Sequence, residues 1–228
     1  MGTCHILSRT RESFRDRVEA GQLLGKELSA LAGEHPVVVA IPRGGVVVAC
    51  GVVRATGGEL DIVLSHKIGA PGNPELAIGS VSEDGRLFVD EALASIVGAD
   101  KRYIDMERNR QAARIAERTA VYRRVHPKVP LAGRLVVVTD DGVATGATME
   151  AALWSTRQER PSKLVAALPV GADEVIRGLA RFADEVVCLR TPPGFSAVGE
   201  FYDAFGQVED EEVIRLLADC SGLEDKPQ

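Results

Sequence analysis

The sequence has few aromatic residues, no closely spaced cysteines and no long apolar run. Only 4% of its 228 residues are aromatic, and the four cysteines form no C-x-x-C pair. Such spacing argues against a disulfide framework or zinc ribbon and for a reducing compartment. The longest apolar stretch, Gly44 to Val53, is about half of what a bilayer-spanning helix needs, and the N-terminus shows no apolar leader. We therefore expect a soluble, cytoplasmic protein.

An excess of positive charge is also lacking, since 27 Lys and Arg stand against 33 Asp and Glu, for a net charge of −6. This balance does not favour DNA or an anionic membrane as a partner. The histidines at 5, 35, 66 and 126 have no metal-ligand spacing, and no Ser/His or Cys/His pair is evident. G-x-x-x-x-G-K-[ST] and G-x-G-x-x-G are both missing, which excludes the two commonest nucleotide-binding loops.

The chain instead contains short β-branched runs that alternate with helical patterns. Hydrophobic residues make up 45% of the sequence, which is ample for a core. Continuous apolar runs predict strands buried on both faces, and apolar residues at helical spacing predict helices. The predicted strands are 37–41, 61–66, 134–139, 163–169 and 185–189, and the predicted helices are 13–31 (capped by Ser13), 148–157 and 172–182. This order predicts an α/β fold with a parallel sheet.

Two regions interrupt the alternation. Ala77 to Asp90 predicts a β-hairpin, and Ala99 to Val125 predicts a long helix with eight basic and four acidic residues. The simplest interpretation is that the charged side of this helix is solvated. The alternative is that it forms a partner surface or a patch that attracts phosphate. We predict a single domain over 1–228, with a core over about 14–190, an insertion over about 68–125, and a hood loop and C-terminal helix over about 191–219. The hood's four aromatic residues either form a stacking platform or pack beneath the loop: Phe195, Phe201, Tyr202 and Phe205.

The segment VVVTDDGVATGAT, residues 136–148, carries the clearest chemistry. Asp140 and Asp141 follow a buried strand, at the sheet edge where open α/β folds bind ligands. Paired carboxylates there can accept hydrogen bonds from the vicinal hydroxyls of ribose. The glycine-containing turn and the helix after it supply backbone amides for an anion, and Thr145 and Thr148 add hydroxyls. A plain strand–turn–helix explains the Asp and Gly but not two acids plus a Gly/Thr loop, so we predict a ribose 5-phosphate site.

Asp140 to Thr148 resembles the signature with which type I phosphoribosyltransferases bind 5-phosphoribosyl-1-pyrophosphate (PRPP). Wider stretches resemble a bacterial branch of phosphoribosyltransferase-like proteins: FRDRVEAGQLLGKEL, PRGGVVVA, KIGAPGNPELAIG and FSAVGEFYDAFGQVEDEEV. The resemblance implies the type I fold, a central, mostly parallel sheet flanked by helices. It also implies that Asp140 and Asp141 are catalytic and that the following residues bind the ribose 5-phosphate: Asp140, Asp141, Gly142, Val143, Ala144, Thr145, Gly146, Ala147 and Thr148.

The same resemblance implies a pyrophosphate site formed by Arg43, Gly44, Gly45 and Lys67. It places a helix over Gly45 to Val53, although valines favour strands, and a flexible lid over Ile68 to Ser80. Mg²⁺ is implied as the cofactor, held through PRPP without direct protein ligands.

The implied reaction transfers the phosphoribosyl group from PRPP to a nitrogen acceptor, a small molecule such as a nucleobase, and releases pyrophosphate. It implies a role in nucleotide metabolism and, by family habit, a homodimer. Ala144 occupies the position at which hypoxanthine-guanine enzymes carry an aspartate, which puts that 6-oxopurine chemistry in doubt. Two alternatives remain: a PRPP-sensing regulator without turnover, and a module that works with other proteins through the basic helix.

Overall fold

The computed structural model describes residues 2–220, with the Glu75 side chain excepted, so residue 1 and residues 221–228 of the predicted domain lie outside it. The strands are β1 Thr3–Ser8, β2 Val37–Ala40, β3 Glu59–Ile62, β4 Ser65–Ala70, β5 Asn73–Ser82, β6 Leu87–Val89, β7 Leu135–Thr139, β8 Lys163–Val170 and β9 Glu185–Arg190. The α-helices are α1 Arg17–Glu27, α2 Gly44–Thr56, α3 Glu91–Ile96, α4 Lys101–Val125, α5 Ala147–Gln158, α6 Asp173–Gly178 and α7 Asp210–Cys220. Short 3₁₀ turns cover Leu28–Glu34, Leu179–Arg181 and Val198–Phe201.

A six-stranded sheet in the order β1-β9-β8-β7-β2-β3 forms the centre of the molecule. All its neighbouring strands are parallel. Successive side chains of the central strands point to opposite faces, so Val137 packs with α1, α2 and α7, whereas Val136 packs with α5 and α6. Burial on both faces explains why these strands are continuous apolar runs. The predicted α/β class, with a mostly parallel sheet flanked by helices, is confirmed.

The N-terminal part of the chain differs from its prediction. β1 was not predicted, because its residues alternate between exposed and half-buried at the sheet edge, and only its pairing with β9 marks it as a strand. The prediction that Ser13 caps the first helix is wrong. Asp16 is the N-cap, since its side chain accepts a hydrogen bond from the amide of Glu19 at 2.8 Å, and Ser13 donates its hydroxyl to Asp203 instead.

The predicted second strand, 61–66, divides between two sheets. β3 ends at Ile62 in the central sheet, and β4 begins at Ser65 in a separate antiparallel sheet of order β4-β5-β6. The predicted hairpin corresponds to β5 and β6, and the predicted long helix to α4. The helix implied by the family over Gly45 to Val53 is confirmed as α2, whose valines are helical because burial between α1 and the sheet outweighs their strand propensity.

The prediction from cysteine spacing was wrong for one pair. Cys50 in α2 and Cys220 at the end of α7 form a disulfide, with Cα atoms 5.9 Å apart. Their sequence separation is 170 residues, and no local pattern records that α7 packs against α2. Of the two free cysteines, Cys188 is buried, and burial raises the pKa of its thiol to about 12.

An ion-pair network joins the insertion to the core. Arg123 of α4 donates to Asp61 of β3 at 2.5 Å and to both carboxylate oxygens of Glu83, in the hairpin turn, at 2.9 and 2.7 Å. Asp61 also accepts the backbone amides of Ile62 and Val129. Hairpin, long helix and central sheet are thereby fixed to one another. Among the helices within residues 2–220, none has the length and apolar character to cross a membrane.

Candidate functional site

The register of β2 and β7 brings the two predicted loops together. These neighbouring parallel strands pair from Val37 with Val136 to Ala40 with Thr139, so the loops that follow them leave the same sheet edge side by side. A Cβ atom on Gly44 would overlap the Asp141 carboxylate, and one on Gly45 would lie 2.9 Å from Cα of Asp140. The predicted pyrophosphate loop is therefore packed directly on the predicted ribose acids, and only glycine fits at positions 44 and 45.

The two aspartates are neighbours at this edge and are joined by a hydrogen bond. The amide of Asp141 donates to Oδ1 of Asp140 at 2.8 Å, and Oδ2 of Asp141 accepts Nε of Arg17 at 2.7 Å. Burial, and then the neighbouring Asp141 charge, raise the pKa of Asp140 well above its ordinary value. Burial also raises the pKa of Asp141, against the lowering effect of the Arg17 guanidinium. The site therefore holds a proton more readily than two solvated aspartates would.

Residues of the hood contact this pair of aspartates. The Tyr202 hydroxyl donates to the backbone oxygen of Asp141 at 2.5 Å, and the Phe205 ring lies 3.9 Å from the Arg17 guanidinium. Arg17 also donates to the carbonyl of Gly206 at 2.8 Å. Phe201 and Tyr202 are buried in the core, which favours the packing interpretation for these two rings, whereas Phe205 remains 38% exposed.

The loop after Asp141 has the features of an anion cradle. Within the described chain, the backbone amides of residues 144–149 have no protein acceptor. Ala144, Thr145 and Thr148 are exposed, and α5 begins at Ala147 with its positive dipole end facing the loop. Gly146 has φ +87°, a conformation that other residues adopt only with strain. Unpaired amides at a helix N-terminus are the usual means of binding a phosphate.

The four predicted pyrophosphate residues do not all lie at the same place. Gly44 and Gly45 contact the acids, but the Arg43 guanidinium pairs with Glu209 at 3.2 Å and lies 3.9 Å from Asp210, both at the start of the C-terminal helix. Lys67 lies within β4, and not at the end of a core strand as the sequence suggested. It lines a cavity together with Pro42 and Thr148. Lys67 thus lies in the same cavity as the start of the predicted pyrophosphate loop and one residue of the phosphate cradle, whereas Gly44, Gly45 and Arg43 do not line it.

The chemistry of the donor set fits a magnesium ion carried by a ligand. No group of three or more His, Cys, Asp or Glu side chains within residues 2–220 is arranged to hold a metal. The cleft offers two adjacent carboxylates, and Mg²⁺ is commonly held by one or two carboxylates together with substrate phosphates and water.

Sequence reasoning missed Arg17 as a site residue. It lies in the first turn of α1, where a single arginine in an amphipathic helix is typical of a solvated side chain, yet it contacts an acid 124 positions away. The stretch FRDRVEAGQLLGKEL, noted only for its resemblance, was the one signal available.

Comparison with known proteins gives a consistent result. A family model described as "Phosphoribosyl transferase domain" matches residues 17–175, more than half of the chain. Two relatives from strains of Mycobacterium tuberculosis, named "Putative phosphoribosyl transferase MT0597" and "Putative phosphoribosyl transferase Rv0571c", are each 40% identical over 204 residues, which is 90% of this chain and 46% of theirs. The chain therefore spans about half the length of these relatives. The crystal structure of TT1426 from Thermus thermophilus superposes with a TM-score of 0.87 at 49% identity, covering 92% of this chain and all of that one.

Proposed function

Since the chain belongs to the phosphoribosyl transferase family, we propose that it binds PRPP in the cleft between β2 and β7. It transfers the phosphoribosyl group to a nitrogen acceptor, such as a nucleobase, and releases pyrophosphate. The observation that carries this proposal is the direct packing of Gly44 and Gly45 on Asp140 and Asp141, beside amides that lack acceptors. PRPP carries a ribose, a 5-phosphate and a pyrophosphate, so a site for it needs the acids, the amides and the glycine loop close together.

Each element has a defined task in the proposal. The carboxylates of Asp140 and Asp141 accept hydrogen bonds from the ribose 2′- and 3′-hydroxyls. In their ionised form they also favour the positive charge that develops on the sugar as pyrophosphate leaves. The amides of residues 144–149, with the hydroxyls of Thr145 and Thr148, hold the 5-phosphate. Mg²⁺, held through PRPP beside Asp140 and Asp141, would neutralise part of the charge on the leaving pyrophosphate.

Arg17 contacts the carboxylate that the proposal assigns to ribose. Its Nε binds one oxygen of Asp141, so a hydroxyl either binds the other oxygen beside the guanidinium or displaces it. Because Arg17 also contacts the hood through Phe205 and Gly206, its displacement would change these contacts with the hood. Arg17 is thus proposed as a positioning residue for Asp141.

The acceptor side offers no acid in the loop. Ala144 is exposed at the position where hypoxanthine-guanine enzymes carry aspartate, so the proposal favours an acceptor that needs no such group. The same proposal includes a role in nucleotide metabolism, a cytoplasmic location and a homodimeric state. The PRPP donor and what is usual in the family support it.

Pyrophosphate release tests the proposal directly. The protein is incubated with labelled PRPP, Mg²⁺ and a panel of nitrogenous bases, and free pyrophosphate is measured. Release that depends on one class of base confirms the transferase and names its acceptor. Measurable PRPP binding without release from any base would support the sensor alternative, for which the engagement of Arg43 by Glu209 is the favouring observation. Absence of PRPP binding would contradict both.

A further inference from the structure

A cavity of about 190 Å³ lies between the loop after β2, strand β4 and helix α4. Its polar lining consists of Ser65, His66, Lys67, Arg118 and Thr148. Thr148 belongs to the predicted 5-phosphate cradle, and the cavity also touches Pro42, next to the pyrophosphate loop. It therefore adjoins both halves of the proposed PRPP site, while Arg118 comes from the insertion.

The lining of this cavity is positively charged. Its described residues include the basic Arg118 and Lys67, together with His66, and no Asp or Glu. Arg118 forms no ion pair with another described residue, whereas Arg123 of the same helix pairs with Asp61 and Glu83. Burial, and then the charges of Arg118 and Arg114, lower the pKa of His66. Unneutralised guanidinium charge thus reaches the cavity wall.

An adjacent cavity, which shares His66 and Lys67, is less suited to an anion. It measures about 250 Å³ and is also lined by Glu107, which pairs with Arg110 at 3.1 Å. Arg110 and Arg114 also line this cavity, but Glu107 places a carboxylate in its wall, and the cavity includes neither Pro42 nor Thr148. The cavity beside Arg118 is therefore the one that adjoins the proposed PRPP site and has no acid in its described lining.

We propose that Arg118, from the insertion helix α4, binds the diphosphate group of PRPP and the pyrophosphate released from it. This inference rests on the proposed function. The guanidinium fork matches phosphate oxygens in geometry and charge. At about 190 Å³ the cavity is smaller than the roughly 300–1,000 Å³ sites of drug-sized ligands, which suits one diphosphate group. The aromatic hood contacts Asp141 and none of its residues lines this cavity, so the cavity is available to the donor.

Binding of two separate ligands tests this assignment. The affinities of Mg²⁺-pyrophosphate and of ribose 5-phosphate are measured by calorimetry at physiological ionic strength, for the wild type and for Arg118→Gln. Loss of a charge-assisted contact is expected to weaken pyrophosphate binding about tenfold or more and to leave ribose 5-phosphate unchanged. Arg118→Lys, which keeps the charge and loses the fork, is expected to lie between the two.

The matched control is Arg102→Gln. Arg102 is exposed on the same helix, sixteen residues earlier, which at about 100° per residue places it on the opposite face. The same loss of charge there is expected to change neither affinity. Unchanged pyrophosphate binding by Arg118→Gln, or equal weakening of both ligands, would overturn the assignment while the proposed function stands. A wild type that binds neither ligand would overturn the proposed function, and this inference with it.

Discussion

Two buried arginine–carboxylate contacts in this molecule have similar chemistry and different consequences. Arg17 contacts Asp141 with 12% of its side chain exposed, and Arg123 contacts Asp61 and Glu83 with 14% exposed. The space beside Asp61 and Glu83 measures about 10 Å³, which is hardly enough for one water molecule. Asp141 instead lies at the edge of the sheet beside a second acid and an anion cradle.

The difference shows that location decides what such a pair does. Asp61 also accepts hydrogen bonds from two backbone amides. Its contact with Arg123 therefore has a structural role, because it holds the insertion against the core. The contact of Arg17 holds a carboxylate that a ligand can share. We therefore expect changes at Arg123 to affect stability, and changes around Arg17 to affect binding.

The largest effect is expected from Arg123→Gln, which would leave Asp61 and Glu83 buried without their main partner. Breaking a buried pair typically costs about 3–5 kcal/mol, so the free energy of unfolding in urea should fall by that amount. The affinity of the folded protein for PRPP should be unchanged. Arg124→Gln, at the exposed neighbouring position, is the control. If the free energy of unfolding of Arg123→Gln fell by less than about 1 kcal/mol, the contact between Arg123 and the two acids would not be structural.

Gly44→Ala should disturb the other pair without changing any charge. The new Cβ would overlap the carboxylate of Asp141 and lie 2.9 Å from Nε of Arg17, so one of them has to move. A displacement of about 1 Å can cost roughly a hundredfold in activity, and we expect a loss of that size in kcat/KM for PRPP. Gly33→Ala, where a Cβ has open space, should behave as wild type. Equal activity of the two variants would contradict the close packing of the loops.

Arg17→Gln should have the smallest effect at neutral pH and a clear effect on pH dependence. The Arg17 charge lowers the pKa of Asp141, so its removal raises that pKa, and Asp141 is protonated at higher pH. If PRPP binding needs ionised carboxylates, lowering the pH will weaken PRPP binding in both proteins. The weakening will begin at a higher pH in the variant than in the wild type. At high pH the two affinities should agree within about tenfold. Binding measured across the pH range checks this, with Arg17→Lys as the variant that keeps the charge. Superimposable profiles for Arg17→Gln and wild type would contradict it.

The part of the fold that could be predicted from the sequence is the part determined by local pattern and burial. β2, β7, β8 and β9 are apolar on both faces and were recognised, whereas β1 alternates at an edge and was not. The change of sheet after Ile62 was missed, because the apolar run Ile62 to Leu64 continues past the end of β3 towards β4.

The candidate site shows the same division. Asp140 to Thr148 forms one continuous motif, so composition and spacing sufficed to propose it. The contacts of Asp141 with Arg17 and of Arg43 with Glu209 join residues 124 and 166 positions apart. Such contacts are set by how helices pack on the sheet, and no local pattern predicts them. The disulfide between Cys50 and Cys220 was missed for the same reason.

The central claim is that Asp140 and Asp141 bind the ribose of PRPP, and calorimetry with Mg²⁺-PRPP tests it most directly. The double variant Asp140→Asn, Asp141→Asn removes both carboxylates at nearly constant volume. The control, Asp105→Asn with Asp219→Asn, removes two exposed acids outside the cleft. We predict that the first double variant folds and loses measurable PRPP binding, while the control retains wild-type affinity. Wild-type affinity in the folded Asp140→Asn, Asp141→Asn protein would contradict the account.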